Sequence, residues 1–221
     1  MELIARRGIV RASNVATLRE LGFSTVEWFP LREHRAVVRP GEEIAARALA
    51  VGAVWAWSYL PEAELGTPAL TQHIERGHLK LALTRAEREV FDAPRGAPHG
   101  DPDALLDTAW TLAWVLGFEP EPDPVGVAID APTRANLVRF LVRGGDVAPP
   151  QLARGLRSDR EIVETEDLFT CAHQTARLAC LGHPEAAVPS AARFASIETR
   201  RHALSFCLSP DEPWERVDLA T

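Results

Sequence analysis

Residues 156–182, LRSDREIVETEDLFTCAHQTARLACLG, decide the fold class because they carry the signals of one complete long helix. Ser158 and Glu161 form a capping box, in which each side chain can bond the free backbone N–H of the other residue. Gly182 and Pro184 end the helix at the far end. These signals predict a single long helix over the segment.

Seven further segments carry helix signals of the same kind. Residues 40–41, Pro-Gly, open the most apolar of them, and a helix that is apolar on most sides lies in a core. Thr84 and Glu87 form a second capping box, and Asp101 followed by Pro102 is typical of a helix start. The seven predicted helices are residues 15–21, 44–60, 67–76, 85–91, 102–117, 135–142 and 190–208.

The connections between these helices are rich in proline and contain no evident pair of strands. Residues 119–132 carry four prolines, and the run 125–129 could form a strand but has no partner in the sequence. We therefore predict an all-α fold, a single compact domain of about seven or eight helices with Pro-rich connections. The domain is expected to span residues 1–221, with residues 1–39 as an N-terminal arm and short helix packed on the body.

The composition excludes several classes of partner. With a net charge of −7 and a pI of about 5.5, the chain has no overall attraction for nucleic acid or anionic lipid. No segment has about 18 uncharged apolar residues, and the N-terminus lacks the apolar run of a signal peptide. Cys171, Cys180 and Cys207 lie in apolar helical contexts, which favours reduced thiols. We expect a soluble cytoplasmic protein that binds neither nucleic acid nor a membrane.

Four stretches, taken together in their order and spacing, resemble a known bacterial family. They are Glu43-Ile44-x-x-Arg47-Ala48-Leu49, Leu112-x-Trp114-x-Leu116-Gly117, Leu156-Arg157-Ser158-x-x-Glu161-Ile162 with Asp167-Leu168 and His173, and Arg200-x-x-Ala203-Leu204 followed by Trp214-x-x-Val217. Over about residues 15–221 the chain is similar to the domain-of-unknown-function family 4272. The resemblance implies a helical, soluble protein and supplies no reaction.

The chain also departs from the pattern of that family. The family's Trp-Arg-Tyr-Glu run corresponds to residues 106–109, Leu-Asp-Thr-Ala, in this chain. The family's Glu-Arg-His-Arg aligns with residues 199–202, Thr-Arg-Arg-His, so the acidic residue is lost or displaced to Glu198. If those polar groups form a site in the family, this member has an altered one.

A metal site is one interpretation of the histidines and cysteines on the long helix. Cys171 and His173 diverge on a helix, whereas His173 and Cys180 share a face that His183 could join, giving three ligands at most. The alternative is two core cysteines, one packed histidine and one loop histidine. We favour this alternative and predict no metal and no cofactor.

A cluster of His173, Arg200, Arg201 and Glu198 is the second candidate, because the two long C-terminal helices should pack together. An arginine facing a pocket could clamp a carboxylate or phosphate, and a nearby histidine could act as a general base. The alternative is a network of salt bridges between the helices. We favour the network, since the sequence supplies neither a nucleophile nor an oxyanion hole.

Two functions follow from these patterns, and the sequence leaves open whether the chain is an enzyme. We predict a non-catalytic interaction or ligand-binding module with a protein partner or small ligand of unknown identity, and oligomer formation is compatible with it. Its binding surface is expected around Phe23, Trp28 and Phe29. The alternative is an enzyme that acts on a small anionic substrate through the His/Arg cluster between the C-terminal helices.

Overall fold

The computed structural model describes residues 2–24, 37–76, 79–143 and 149–219, and within these ranges the elements of regular structure are helices. An isolated antiparallel bridge joins Ser24 and Ala187. The prediction of an all-α fold is confirmed. The α-helices are α1 (Glu2–Glu20), α2 (Gly41–Tyr59), α3 (Thr67–Arg76), α4 (Arg85–Val90), α5 (Pro102–Val115), α6 (Ala131–Val138), α7 (Pro149–Leu152), α8 (Asp159–Cys180) and α9 (Phe194–Cys207).

The helices pack in an order that differs from their order along the chain. Helix α1 packs on α8, α8 on α9, α9 on α5, and α5 on α2, which also contacts α3, α4 and α7. Helix α2 is buried along most of its length, as its apolar composition predicts. No helix among the described parts of the chain is both long enough and apolar enough to cross a bilayer.

Helix α8 has the boundaries that its terminal residues predict. The Ser158 hydroxyl accepts a hydrogen bond from the backbone N–H of Glu161, and the Glu161 carboxylate accepts one from the backbone N–H of Ser158. Gly182 follows the helix with φ +76°, a conformation that favours glycine. The capping box therefore satisfies two of the N–H groups that every helix start leaves unpaired.

Helix α1 begins much earlier than the predicted short helix at residues 15–21, so that boundary was wrong. The Asn14 amide donates hydrogen bonds to Asp167 and to the backbone carbonyl of Glu164, both on α8, instead of capping a helix. Arg11 forms an ion pair with the same Asp167 carboxylate at 2.6 Å. Because α8 satisfies these polar side chains, one helix continues through the whole segment.

The predicted binding surface around the first aromatic residues is also wrong where it can be compared with the structure. Phe23 is buried in the core with 2 % of its surface exposed. Its backbone N–H donates to the carbonyl of Leu18, which closes the turn after α1. Trp28 and Phe29, the other two residues of that prediction, lie outside the described residues.

Three smaller boundaries differ from the predicted ones. Helix α6 starts at Ala131 because the Asp130 carboxylate accepts a hydrogen bond from the backbone N–H of Thr133. Helix α7, which is followed by a 3₁₀ turn at Ala153–Gly155, lies in a segment for which no helix was predicted. Helix α9 begins at Phe194, four residues later than predicted.

The start of α8 is held against the end of α5 by two glycines. A Cβ at Gly117 would lie 2.8 Å from the carbonyl oxygen of Gly155, and a Cβ at Gly155 would overlap the carbonyl oxygen of Leu116. The backbone N–H of Arg157 then donates to the carbonyl of Val115 at 2.9 Å. This close approach of two backbones fixes how α8 enters the core.

The irregular segment after α9 is held in place by Arg39. Arg39 donates from Nε to the carbonyl of Phe206 at 3.1 Å and from one terminal nitrogen to the carbonyls of Ser209 and Glu212. A short 3₁₀ turn at Trp214–Arg216 follows. Trp214 packs edge-on against Phe206 of α9, with ring centroids 5.1 Å apart. These contacts bring Trp214 over the first half of α2.

Candidate functional site

The two adjacent arginines of α9 are completely buried and point to different neighbours, since successive side chains on a helix diverge by about 100°. Arg200 reaches α5 and binds Asp107 through Nε at 3.0 Å and through a terminal nitrogen at 2.6 Å. Its remaining N–H groups donate to the backbone carbonyls of Asp123 and Val127 and to the Asp123 carboxylate. Arg200 therefore fixes the connection between α5 and α6, and its donors are already engaged.

Arg201 belongs to a buried polar network between α8 and α9, which we call the polar seam. Its Nε donates to the Thr170 hydroxyl at 3.1 Å, and a terminal nitrogen donates to His173 Nδ1 at 2.6 Å. The Glu166 carboxylate accepts hydrogen bonds from the hydroxyls of Thr170 and Ser205, each at 2.9 Å. The polar seam consists of Glu166, Thr170, His173, Arg201 and Ser205.

His173 is neutral in this environment. Arginine can only donate, so Nδ1 of His173 accepts and the ring proton is on Nε2. Burial, together with the nearby charge of Arg201, lowers the pKa of His173 to about 4. Nε2 lies 3.8 Å from the half-exposed Glu198 carboxylate, beyond hydrogen-bond distance. The structure thus brings together His173, Arg201 and Glu198, whereas Arg200 contacts other partners.

The three candidate metal ligands, two on α8 and one just after it, do not face one another. His173 is engaged with Arg201, Cys180 is exposed at the helix end, and Nδ1 of His183 accepts from the backbone N–H of Glu185. In the parts of the chain that the structure describes, no three His, Cys, Asp or Glu side chains are grouped so as to hold a metal ion. His173 is packed and His183 lies in a loop, but the expected core position of Cys180 is wrong, because its thiol is exposed at the end of the helix.

Two of the cysteines are buried and unreactive. Burial raises the pKa of the Cys171 thiol and of the Cys207 thiol to about 12 in each case. A thiol with this pKa remains protonated at neutral pH and is a poor nucleophile. Cys180 is exposed, and the described cysteines are all free thiols.

Two adjoining surface grooves lie on either side of Trp214. The α5 groove, of about 720 Å³, lies between the start of α5, α4 and the middle of α2. The α7 groove, of about 770 Å³, lies between the start of α7, the first turns of α2 and residues 81–84. Four residues line both grooves, namely Arg47, Thr84, Trp214 and Glu215.

A buried ion pair forms the wall between the grooves. Arg47 of α2 donates to both oxygens of the Glu87 carboxylate at 2.6 and 2.7 Å, and Glu87 also closes the capping box of α4. Burial alone would raise the pKa of Glu87, but the hydrogen bonds and charge of Arg47 lower it below its ordinary value. The Arg47 guanidinium carbon lies 4.3 Å from the centre of the Trp214 ring.

Trp214 is further fixed by a histidine of α9. The rings of His202 and Trp214 meet edge to face, with centroids 4.4 Å apart. Burial and the charge of Arg47 lower the pKa of His202. His202 lines the α5 groove with its aromatic ring. The surface around Trp214 therefore combines apolar rings with a paired arginine.

An exposed leucine lies beside this surface. Leu81 lines the α7 groove and is 93 % exposed, whereas Leu79 and Leu83 on either side are buried. Pro149 and Pro150 of α7 line the same groove. Together with the apolar side chains that line the same groove, the exposed Leu81 adds apolar surface accessible to a ligand.

The grooves contain functional candidates that the sequence interpretation missed. One signal was present: Arg47 occupies the apolar stripe of α2, so a buried carboxylate had to pair with it. Glu87, already recognised in a capping box, supplies that carboxylate. No signal distinguished Leu81 from Leu79 and Leu83, because the alternation of residues 79–83 fits several orientations.

Comparison with known proteins places the chain in a family. Residues 11–217 match the model of a family described as Domain of unknown function (DUF4272). No curated protein and no solved structure matches the chain. The matched region contains all four stretches on which the resemblance rests and most of the nine α-helices described above. The chain therefore belongs to the family of the domain of unknown function DUF4272.

Proposed function

We propose that the chain is a non-catalytic binding module and that its ligand lies in the two grooves beside Trp214. The observation that carries this proposal is the exposed Leu81 at the edge of adjoining grooves of about 720 and 770 Å³. Each volume is in the range of ligand sites, and the pair offers a longer surface than a small molecule covers. Apolar floors with a few fixed polar groups are usual in such sites.

The state of the polar groups supports binding rather than catalysis. Arg47 and Glu87 neutralise each other, and the Thr84 hydroxyl is used as a helix cap. In the polar seam, the lone pair of His173 Nδ1 accepts from Arg201, and Nε2 carries the proton. A general base needs an accessible lone pair, which His173 would gain only by losing its bond to Arg201.

The alternative is an enzyme that binds a small anionic substrate at the polar seam. One observation favours it, since the half-exposed Glu198 lies 3.8 Å from His173 Nε2 and connects the seam to the surface. This function requires the ring NMR signals of His173 to shift when inorganic phosphate or acetate is added. If these signals stay unchanged while those of His183 serve as the reference, the enzyme proposal fails.

The cellular setting that we propose is the cytoplasm of a bacterium. Free thiols at Cys171, Cys180 and Cys207 are compatible with a reducing compartment. The resemblance to a bacterial family supports the origin. A soluble protein with an acidic net charge of −7 is expected to avoid nucleic acid and anionic membranes, and self-association remains compatible with binding.

A random peptide library displayed on phage tests the binding function with the full chain as bait. We expect enriched peptides that bind the wild-type chain and lose binding to Leu81→Asp, because an aspartate would place a charge in the apolar contact. The matched control is Leu181→Asp, since Leu181 is 74 % exposed and does not line either groove.

The outcome with the two variants decides the matter. Binding that is lost in Leu81→Asp and kept in Leu181→Asp supports the grooves as the binding surface. The proposed function would be overturned if no peptides are enriched, or if the enriched peptides bind Leu81→Asp as tightly as the wild-type chain. Thermal unfolding of both variants is measured alongside, so that a folding defect is recognised.

A further inference from the structure

We infer that the grooves beside Trp214 bind a cationic peptide segment, in which an arginine or lysine stands close to a large apolar residue. This inference rests on the proposed binding function and adds the chemistry of the partner. It follows from the charges and the apolar residues that line the two grooves, and from which of those charges are already paired within the chain.

The lining of the two grooves is acidic. Counting each residue once, it contains two arginines and six carboxylates, a net charge of −4, against −7 for the whole chain. More than half of the net negative charge is therefore concentrated around Trp214. The ionised residues are Arg47, Arg85, Glu42, Glu43, Glu87, Glu89, Asp101 and Glu215.

Most of these carboxylates are already engaged with other described residues of the chain, and two are not. Glu87 and Glu89 pair with arginines of their own groove, Glu43 pairs with Arg39, and Asp101 caps α5. Glu42 and Glu215 are exposed and make no ion pair or hydrogen bond within the described residues. Both line the α7 groove, so a cation bound there would meet two available carboxylates.

The apolar part of the α7 groove lies next to these carboxylates. Leu81 and Trp214 offer apolar surface, and the prolines of α7 contribute rigid apolar walls that present no backbone N–H. An apolar side chain that covers Leu81 would remove its exposed surface from water, which favours binding. The groove thus calls for a ligand with a charged and an apolar part side by side.

A peptide segment satisfies both requirements, and the other occupants do not. A nucleic acid or an acidic peptide would bring negative charge to a surface of charge −4. A small cation such as a polyamine would neutralise Glu42 and Glu215 but would leave Leu81 exposed. A short basic and apolar segment can also continue past Trp214 into the α5 groove, since the two grooves adjoin.

Three labelled peptides of about ten residues test the inference by fluorescence anisotropy with the full chain. The first contains two arginines and two leucines, and its twins replace the arginines by glutamine or by glutamate. We expect the arginine peptide to bind most tightly and the glutamate peptide most weakly. Raising the salt from about 50 mM to about 300 mM should reduce the difference, because salt screens exposed charges.

Substitution of the two available carboxylates provides the structural test. The variant Glu42→Gln with Glu215→Gln should weaken the arginine peptide by about five- to tenfold and leave the glutamine peptide unchanged. The matched control is Glu20→Gln with Glu185→Gln, which alters two exposed glutamates outside both grooves and should have no effect.

The possible results separate this inference from the proposed function. One possible result is that all three peptides bind equally, that Leu81→Asp abolishes their binding, and that the substitutions of Glu42 and Glu215 do not change it. The binding function would then stand, and the cationic partner would be wrong. If spermidine displaces the arginine peptide completely and its affinity does not depend on Leu81, the site binds a small cation, and the inference of a peptide partner is overturned. If no peptide binds, or Leu81→Asp has no effect, both proposals fail.

Discussion

The polar seam and the grooves beside Trp214 show two opposite uses of charged residues. In the seam, His173, Arg201 and Glu166 are buried and bind one another or neighbouring hydroxyls. Beside Trp214, the buried pair of Arg47 and Glu87 forms a wall, and exposed carboxylates and an exposed leucine remain around it. The first region has the residue types of catalysis, and the second has the accessible surface.

The comparison teaches that residue type alone does not identify a functional site. A buried arginine that has several acceptors within the fold stabilises helix packing and is unavailable to a ligand. An exposed leucine contributes little to the core, and beside a groove it adds apolar surface that a ligand can cover. The two regions should therefore respond to substitution in opposite ways, with loss of stability at the seam and loss of binding at the grooves.

The largest effect is expected for Arg201→Met in the seam. The substitution removes the hydrogen-bond donor of His173 and Thr170 and leaves these buried polar groups without that partner. We expect it to lower the unfolding free energy by about 3–5 kcal/mol. Urea unfolding followed by circular dichroism measures it. The control is Arg193→Met, whose pair with Asp103 is largely exposed and contributes less than about 1 kcal/mol. Equal small losses in both variants would contradict the seam's structural role.

The second effect concerns pH and His173. The pKa of His173 is about 4 in the folded chain and 6.5 ordinarily, so folding favours the neutral ring. The unfolding free energy is therefore not reduced by this group above about pH 6.5. As the pH falls towards 4, the unfolded chain binds the proton more readily, and the unfolding free energy decreases by roughly 3 kcal/mol at most. His173→Asn keeps an acceptor for Arg201 but cannot titrate.

The measurement for this prediction is a difference between two chains. The unfolding free energy of wild type should fall more steeply than that of His173→Asn between pH 6.5 and 4.5, a range of about two pH units. Taking the difference removes the contributions of His73 and His202, whose pKa values are also lowered. Parallel curves would show that His173 is not held neutral by the seam.

A smaller effect is expected for Thr84→Ala at the start of α4, in the wall shared by the grooves. The Thr84 hydroxyl accepts a hydrogen bond from the backbone N–H of Glu87 at 3.2 Å, and losing such a cap costs about 1 kcal/mol. Ser158→Ala removes the same kind of cap from α8 and should cost about as much. A loss at Thr84 several times larger would mean that the groove wall depends on this cap alone.

The smallest effect on stability is expected for Leu81→Asp. Because Leu81 is 93 % exposed, the unfolding free energy should change by less than about 0.5 kcal/mol. Leu83→Asp, two residues along the chain and buried, should destabilise the chain by about 3 kcal/mol or more. A strong destabilisation by Leu81→Asp would assign that leucine to the core and remove the argument for a binding surface.

Local signals in the sequence predicted much of the fold. Capping boxes at Ser158 and Thr84, and the Asp-Pro start of α5, placed helix starts correctly because each depends on bonds within a few residues. Helix α1 was misjudged because its polar side chains are satisfied by Asp167, far away in sequence. Such a contact has no local signature.

The candidate site was predicted less well, for a related reason. The packing of α8 on α9 was foreseen, and it does bring His173 and Arg201 together. Which of Arg200 and Arg201 faces α5, and which faces α8, depends on the rotation of α9 about its own axis. The spacing of residues along the sequence does not define that rotation. The grooves depend on where the segment after α9 returns over α2, and that return involves the packing of Trp214 against Phe206, which residue spacing alone does not predict.

The backbone contact between Gly117 and Gly155 limits which substitutions can accumulate at these two positions during evolution. A side chain at either position would strike main-chain atoms of the other segment, and a main chain cannot move aside as a flexible side chain can. No second substitution at the partner position relieves that clash, so only an insertion or deletion could re-route the crossing. We expect the two glycines to serve as a fixed mark for aligning distant relatives whose groove residues have changed beyond recognition.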